Sequence, residues 1–102
     1  MPKVAVELIN IDEDLAEKAV GKMIDALALI AQPIKKSILI EPHDETRGIW
    51  AKFELKDPEE STTSSYRQAL VAAVKSLLLM QTHINNKVNV HVTVYNDKGD
   101  NE

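Results

Sequence analysis

The sequence contains no cysteine. That excludes disulfides, thiolate nucleophiles, and zinc or iron–sulfur centres built on cysteine. Its three glycines, Gly21, Gly48 and Gly99, stand far apart, so no glycine-rich loop is available to cradle a phosphate. Aromatic residues make up 4%, with one tryptophan and one phenylalanine, and aliphatic side chains must therefore fill the core. No apolar run reaches the ~18 residues of a membrane span. Lys35–Lys36 is the one basic doublet in a chain of formal net charge −4, which argues against a nucleic-acid phosphate backbone as the main partner. The opening stretch, MPKVAVELINIDEDL, is too acidic for a signal peptide, and the expectation is a cytoplasmic protein without membrane contact.

What is present is the mix of an ordinary globular domain: 102 residues, 44% hydrophobic and 27% charged. Lys3 to Ile9 alternates with the period of a strand. Asp12 is placed to cap a helix running to about Ala31, with Ala16, Ala19, Val20, Met23, Leu27 and Ile30 on its apolar face. Gln32–Pro33 stops that helix. Ser37 to Glu41 and Ile49 to Lys56 read as strands joined by the loop PHDETRG, a hairpin. In DPEESTTSS, Ser65 with Gln68 fits a capping box for a second helix from about Ser64 to His83. Lys87 to Tyr95 is the last strand, with Val88, Val90, Val92 and Val94 facing inward. We expect one α+β domain over residues 1–96 and a polar, disordered tail over 97–102. The order β-α-β-β-α-β predicts a ferredoxin-like two-layer sandwich: a four-stranded antiparallel sheet, its first and third strands central, with both helices on one face.

The side of the sheet away from the helices would carry Glu7, Ile9, Leu39, Trp50, Lys52, Glu54, His91, Thr93 and Tyr95. Such a face can simply be solvated. It can also be a contact or ligand surface, with Trp50, Lys52, His91, Tyr95 and Glu7 as the candidates, because an outward tryptophan near a tyrosine is enriched at interfaces. His91 opposite Glu7 is either an acid–base pair or an ordinary cross-strand pair. His43, in PHDE, is expected in a solvated loop, and no His-x-x-x-His spacing exists. We expect no metal and no cofactor. His83 near a helix end suits the negative pole of the helix dipole.

The second helix raises a different question. Between Ala69 and Met80 only Lys75 and Ser76 are polar. One sheet face covers only part of such a helix, so Val71, Leu78 and Leu79 are expected to contact another chain. Gly21, inside the first helix, costs roughly 1 kcal/mol against alanine, and close packing against a strand or another chain would explain it. The functional expectation is a non-catalytic protein-interaction or assembly module, homo-oligomeric or bound to another protein. The alternatives are a small-molecule-binding protein or small enzyme using the Trp50/His91 face, and a nucleic-acid accessory protein.

TTSSYRQALVAAVKSLL followed by VNVHVTVYND resembles part of the ribonuclease H core. Arg67, Leu70, Ala72, Ala73, Tyr95 and Asp97 fall on positions of that family's helix and following strand, and GIWAKFEL looks like its second strand. The resemblance implies, as an alternative fold, a degenerate ribonuclease H-like core. Ala69 stands where that family has a metal-binding glutamate, so the resemblance implies a core that has lost two-metal hydrolysis.

Overall fold

The structure, a computed structural model, describes residues 2–56, 64–81 and 88–96. Its elements are β1 (Pro2–Ile9), α1 (Glu13–Leu27), β2 (Pro33–Pro42), β3 (Gly48–Leu55), α2 (Ser64–Gln81) and β4 (Asn89–Asn96). They form one sheet in the order β2-β3-β1-β4, with every neighbouring pair antiparallel. This is the ferredoxin-like α+β sandwich that the element order predicts, with β3 and β1 central. The three consecutive opening strands of a ribonuclease H-like core are not formed, because α1 separates β1 from the β2–β3 hairpin. The tail, His83 and Asp97 lie outside the described residues.

The core sits between the sheet and the two helices. Val4, Val6 and Leu8 of β1 and Ile49, Ala51, Phe53 and Leu55 of β3 are buried, as their alternation dictates. Val90 and Val94 join them from β4, while Val92 is only partly buried. Ala16, Ala19, Val20, Met23, Ile24 and Leu27 contribute from α1. Each fully buried leucine or isoleucine stabilises the fold by about 1.5–3 kcal/mol.

α1 ends earlier than its pattern suggests. Past Leu27 the chain tightens, with Leu29 N–H donating to the Ala26 carbonyl (3.1 Å) and Ile30 N–H to that of Leu27 (3.0 Å). This breaks the 3.6-residue period, so Ile30 swings out to 68% exposure and Ala31 takes the buried position. At the other end Asp12 occupies the cap position: its carbonyl accepts from Ala16 N–H (2.9 Å), but its side chain makes no capping bond. In α2, Ser65 is the second helical residue, so the Ser65–Gln68 capping box does not form.

Two local features fix how β3 meets its neighbours. Gly48 has φ +147°, and a Cβ there would collide with the Leu8 carbonyl oxygen and lie 2.9 Å from Ile9 Cα. Only glycine lets β3 begin this close to β1. In β2, Ile34 pairs with Glu54 and Leu39 with Lys52, so Lys35, Lys36, Ser37 and Ile38 all stand opposite Phe53 alone. Ser37 staples this bulge. Its hydroxyl donates to the Ile34 carbonyl (2.6 Å) and accepts from Glu54 N–H (2.8 Å), taking the place of a missing ladder partner. The strand expected at Ser37–Glu41 is therefore only the far half of a longer, kinked one.

α2 lies against α1 and β4 and corrects the expectation for that helix. Leu70, Val74 and Leu78 are buried, with Tyr66, Val71 and Leu77 packed against the core at their flanks. Leu78 is fully buried, so it belongs to this chain's own core and is not available to another chain. The exposed face is Ser65, Gln68, Ala69, Ala72, Lys75, Ser76, Leu79 and Met80, which recurs at helical spacing. The wet face thus includes small alanines, good helix formers that need no cover. Gly21 is exposed as well, with nothing within 4 Å of where a Cβ would stand, so among the described residues no strand of this chain packs closely against it.

Candidate functional site

The ladder aligns the residues of the open face in rows. Opposed residues in an antiparallel pair point the same way, so Glu41, Trp50, Glu7 and His91 form one row across all four strands. Leu39, Lys52, Ala5 and Thr93 form the next, and Ile34, Glu54, Lys3 and Tyr95 the third. Trp50, Lys52, His91, Tyr95 and Glu7, singled out from sequence, all lie on this one face. Val71 and Leu79 lie on α2, away from it; Val71 packs against the core and Leu79 is 44% exposed.

The first row is organised by a residue that sequence reasoning placed in a solvated loop. His43 folds back over the sheet, and its side chain is only 6% exposed. Its ring stacks on the Trp50 indole with centroids 5.2 Å apart and planes 10° from parallel. Its Nε2 lies 2.6 Å from Glu7 Oε2, and Glu45 N–H donates to Nδ1 at 3.2 Å. These contacts assign the tautomer. A nitrogen that accepts from a backbone N–H carries no proton, so the proton sits on Nε2 and is donated to the Glu7 carboxylate. The Asp44 carboxylate, at 3.7 Å from Nδ1, is too far for a hydrogen bond.

Local chain geometry makes this clamp possible. His43 N–H donates to the Gly48 carbonyl at 2.9 Å, closing the loop immediately after β2, and Asn10 N–H donates to the Arg47 carbonyl at 2.8 Å from the end of β1. Asn10 itself adopts φ 66°, a left-handed conformation that asparagine tolerates. The loop is pinned at both ends, so its first side chain lies across Trp50. The sequence signal was modest: a histidine one residue past a strand, with a tryptophan at the start of the next.

Chemically, the clamp uses up its own groups. Both nitrogens of His43 are engaged, and the ring is shielded from solvent, so it holds Glu7 and Trp50 in place and has no free nitrogen for a substrate. His91 is exposed and stands across from Glu7 in the ladder, but the Glu7 oxygen nearest a histidine is held by His43. Beside Trp50, an open hollow of about 370 Å³ is lined by Glu41, Pro42, Asp44 and Lys52. Lys3 and Glu54 approach to 3.8 Å at the far end of the face, partly in solvent. Among the described residues no three His, Asp or Glu side chains gather to hold a metal ion, and no helix is long and apolar enough to cross a membrane. Neither family models, nor curated proteins, nor solved structures give a match to this chain.

Proposed function

We propose that this chain is a non-catalytic assembly module that associates with further copies of itself through its β-sheet. The observation that carries this reading is the sheet itself. Both helices cover one side, while the other side is four strands wide and has Leu39 51% exposed, with Ile9, Trp50 and Tyr95 partly so. The charges on that side nearly balance, Lys3 and Lys52 standing among Glu7, Glu41 and Glu54, although the whole chain is at −4. A surface of this kind meets a copy of itself with little net repulsion. The His43 clamp supports the reading too: it rigidifies the face in advance, which lowers the entropy cost of docking. The direct test is sedimentation velocity at micromolar concentrations. The expected result is a species heavier than the 11.4 kDa chain, and a clean monomer up to about 100 μM, the weak end of self-association, overturns the proposal.

A further inference from the structure

The two edges of the sheet differ. β2 is guarded in the ways edge strands usually are: Pro33 and Pro42 at its ends, Lys35 and Lys36 exposed along it, and the Ser37 bulge that breaks its regularity. β4 carries none of these. Asn89–Asn96, NVHVTVYN, has no proline, no lysine, no arginine and no carboxylate. In a chain that is 27% charged, eight consecutive residues at a sheet edge would ordinarily include about two charges. β4 pairs with β1 in unbroken register from Pro2↔Asn96 to Ile9↔Asn89, so it is straight enough to template another strand. Among the described residues the sheet ends there, and no backbone hydrogen bond reaches β4 from its outer side.

We infer that β4 pairs antiparallel with β4 of a second copy of this chain, joining two four-stranded sheets into one of eight strands. This rests only on the reading that the chain self-associates; it puts the contact at the edge of the sheet in place of docking through the open face, and the Leu39→Lys variant below separates the two. The occupant follows from the strand's own chemistry. Opposed residues must share a face, so a two-fold axis normal to the sheet has to run midway between one residue of β4 and its own copy, and cannot oppose a residue to the copy of its chain neighbour. Placing it at Val92 uses seven of the strand's eight residues, Asn89 to Tyr95. Val92 then meets Val92 of the second copy, Val90 meets Val94, His91 meets Thr93, and Asn89 meets Tyr95. No like charges oppose each other anywhere along this seam, and β-branched pairs suit it. Val92 gives a second, independent observation. It lies on the core side, opposite Val6, yet is only partly buried, whereas Val90 and Val94 on the same side are 5% and 8% exposed. The strand's centre is the part of its core side left under-covered, and that is where the axis falls.

The test uses the full chain and two double variants at positions exposed in the single chain. His91→Lys with Thr93→Lys puts two pairs of like charges across the seam and is expected to weaken the dimer by roughly tenfold. His91→Glu with Thr93→Lys puts opposite charges across it and should leave the dimer at least as tight as the unaltered protein. Leu39→Lys, on the open face and away from the seam, should have no effect. Sedimentation equilibrium reads all four. A monomer in every case overturns both the self-association reading and this interface. A dimer indifferent to the double-lysine variant, or lost with Leu39→Lys, overturns the β4 seam and leaves self-association standing through another surface. Circular dichroism of each variant confirms that the fold is intact before the masses are compared.

Discussion

The two sides of the sheet solve the same problem differently. The side under the helices is held by shape: Val4, Val6, Leu8, Ile49, Ala51, Phe53 and Leu55 are buried among aliphatic side chains and need no direction beyond close packing. The open side is held by directed contacts at a few points: the His43–Glu7 bond, the His43–Trp50 stack, the Lys3–Glu54 pair and the Ser37 staple. Non-directional packing spreads its stabilisation over many residues. The open side concentrates it in few, and those few also set which surface the molecule presents. Changes on the first side should therefore act on stability. Changes on the second should alter the surface as well.

The largest expected effect comes from the packed side and from the helix over it. Leu78→Ala should lower unfolding free energy by about 2–5 kcal/mol, because it leaves a cavity in a fully buried site. Its neighbour Leu79, 44% exposed, should cost less than about 1 kcal/mol on the same substitution. Urea unfolding of both variants measures the contrast. Equal costs would mean that α2 presents a different face to the sheet from the one described.

On the open side, His43→Ala removes the stack and strips the Glu7 carboxylate of its closest donor. A loss of roughly 1–3 kcal/mol follows from leaving a partly buried acceptor without its partner. Trp50 is the sole tryptophan, so its emission reports the loss of the stack directly. His91→Ala, at an exposed position of the same row, should stay within about 0.5 kcal/mol and leave that emission unchanged. If the two histidines prove equivalent, the clamp is not what organises this face.

The sequence made the packed side plain and the open side only partly so, for a physical reason. β1, β3 and β4 alternate strictly, so Glu7, Trp50, Lys52, His91 and Tyr95 could be assigned to one face from period alone. The clamp could not, because His43 and Glu7 are 36 residues apart and meet only once α1 has carried the chain back to form the hairpin. The bulge was hidden for a related reason: Ser37 acts through a side chain that imitates the backbone, and no periodicity records that. α2 misled in the opposite direction. Counting Ala69 and Ala72 as apolar made its wet face look as though it needed a cover, when methyl groups of that size lose little by facing water. In α1, the break after Leu27 displaced Ile30, because a short apolar pattern extends past the point where the hydrogen bonds tighten.

The one expected gain in stability tests the helices against the sheet's edge. At Gly48 a side chain is forbidden by backbone conformation and by the closeness of β1, whereas at Gly21 neither constraint exists. Gly21 sits in the interior of α1 on its exposed surface, with open space where a Cβ would be. Alanine there lowers the entropy of the unfolded chain and favours helix, so Gly21→Ala should raise unfolding free energy by about 0.5–1 kcal/mol. The urea midpoint should rise with the slope of the transition unchanged, since no surface is gained or lost. If the assembly forms through the β4 seam, this gain should be the same at low and high protein concentration, because α1 lies over β2 and β3, at the far end of the sheet from β4. A destabilisation that grows with concentration would place α1 against another copy at Gly21, and would move the contact surface from the sheet to the helices.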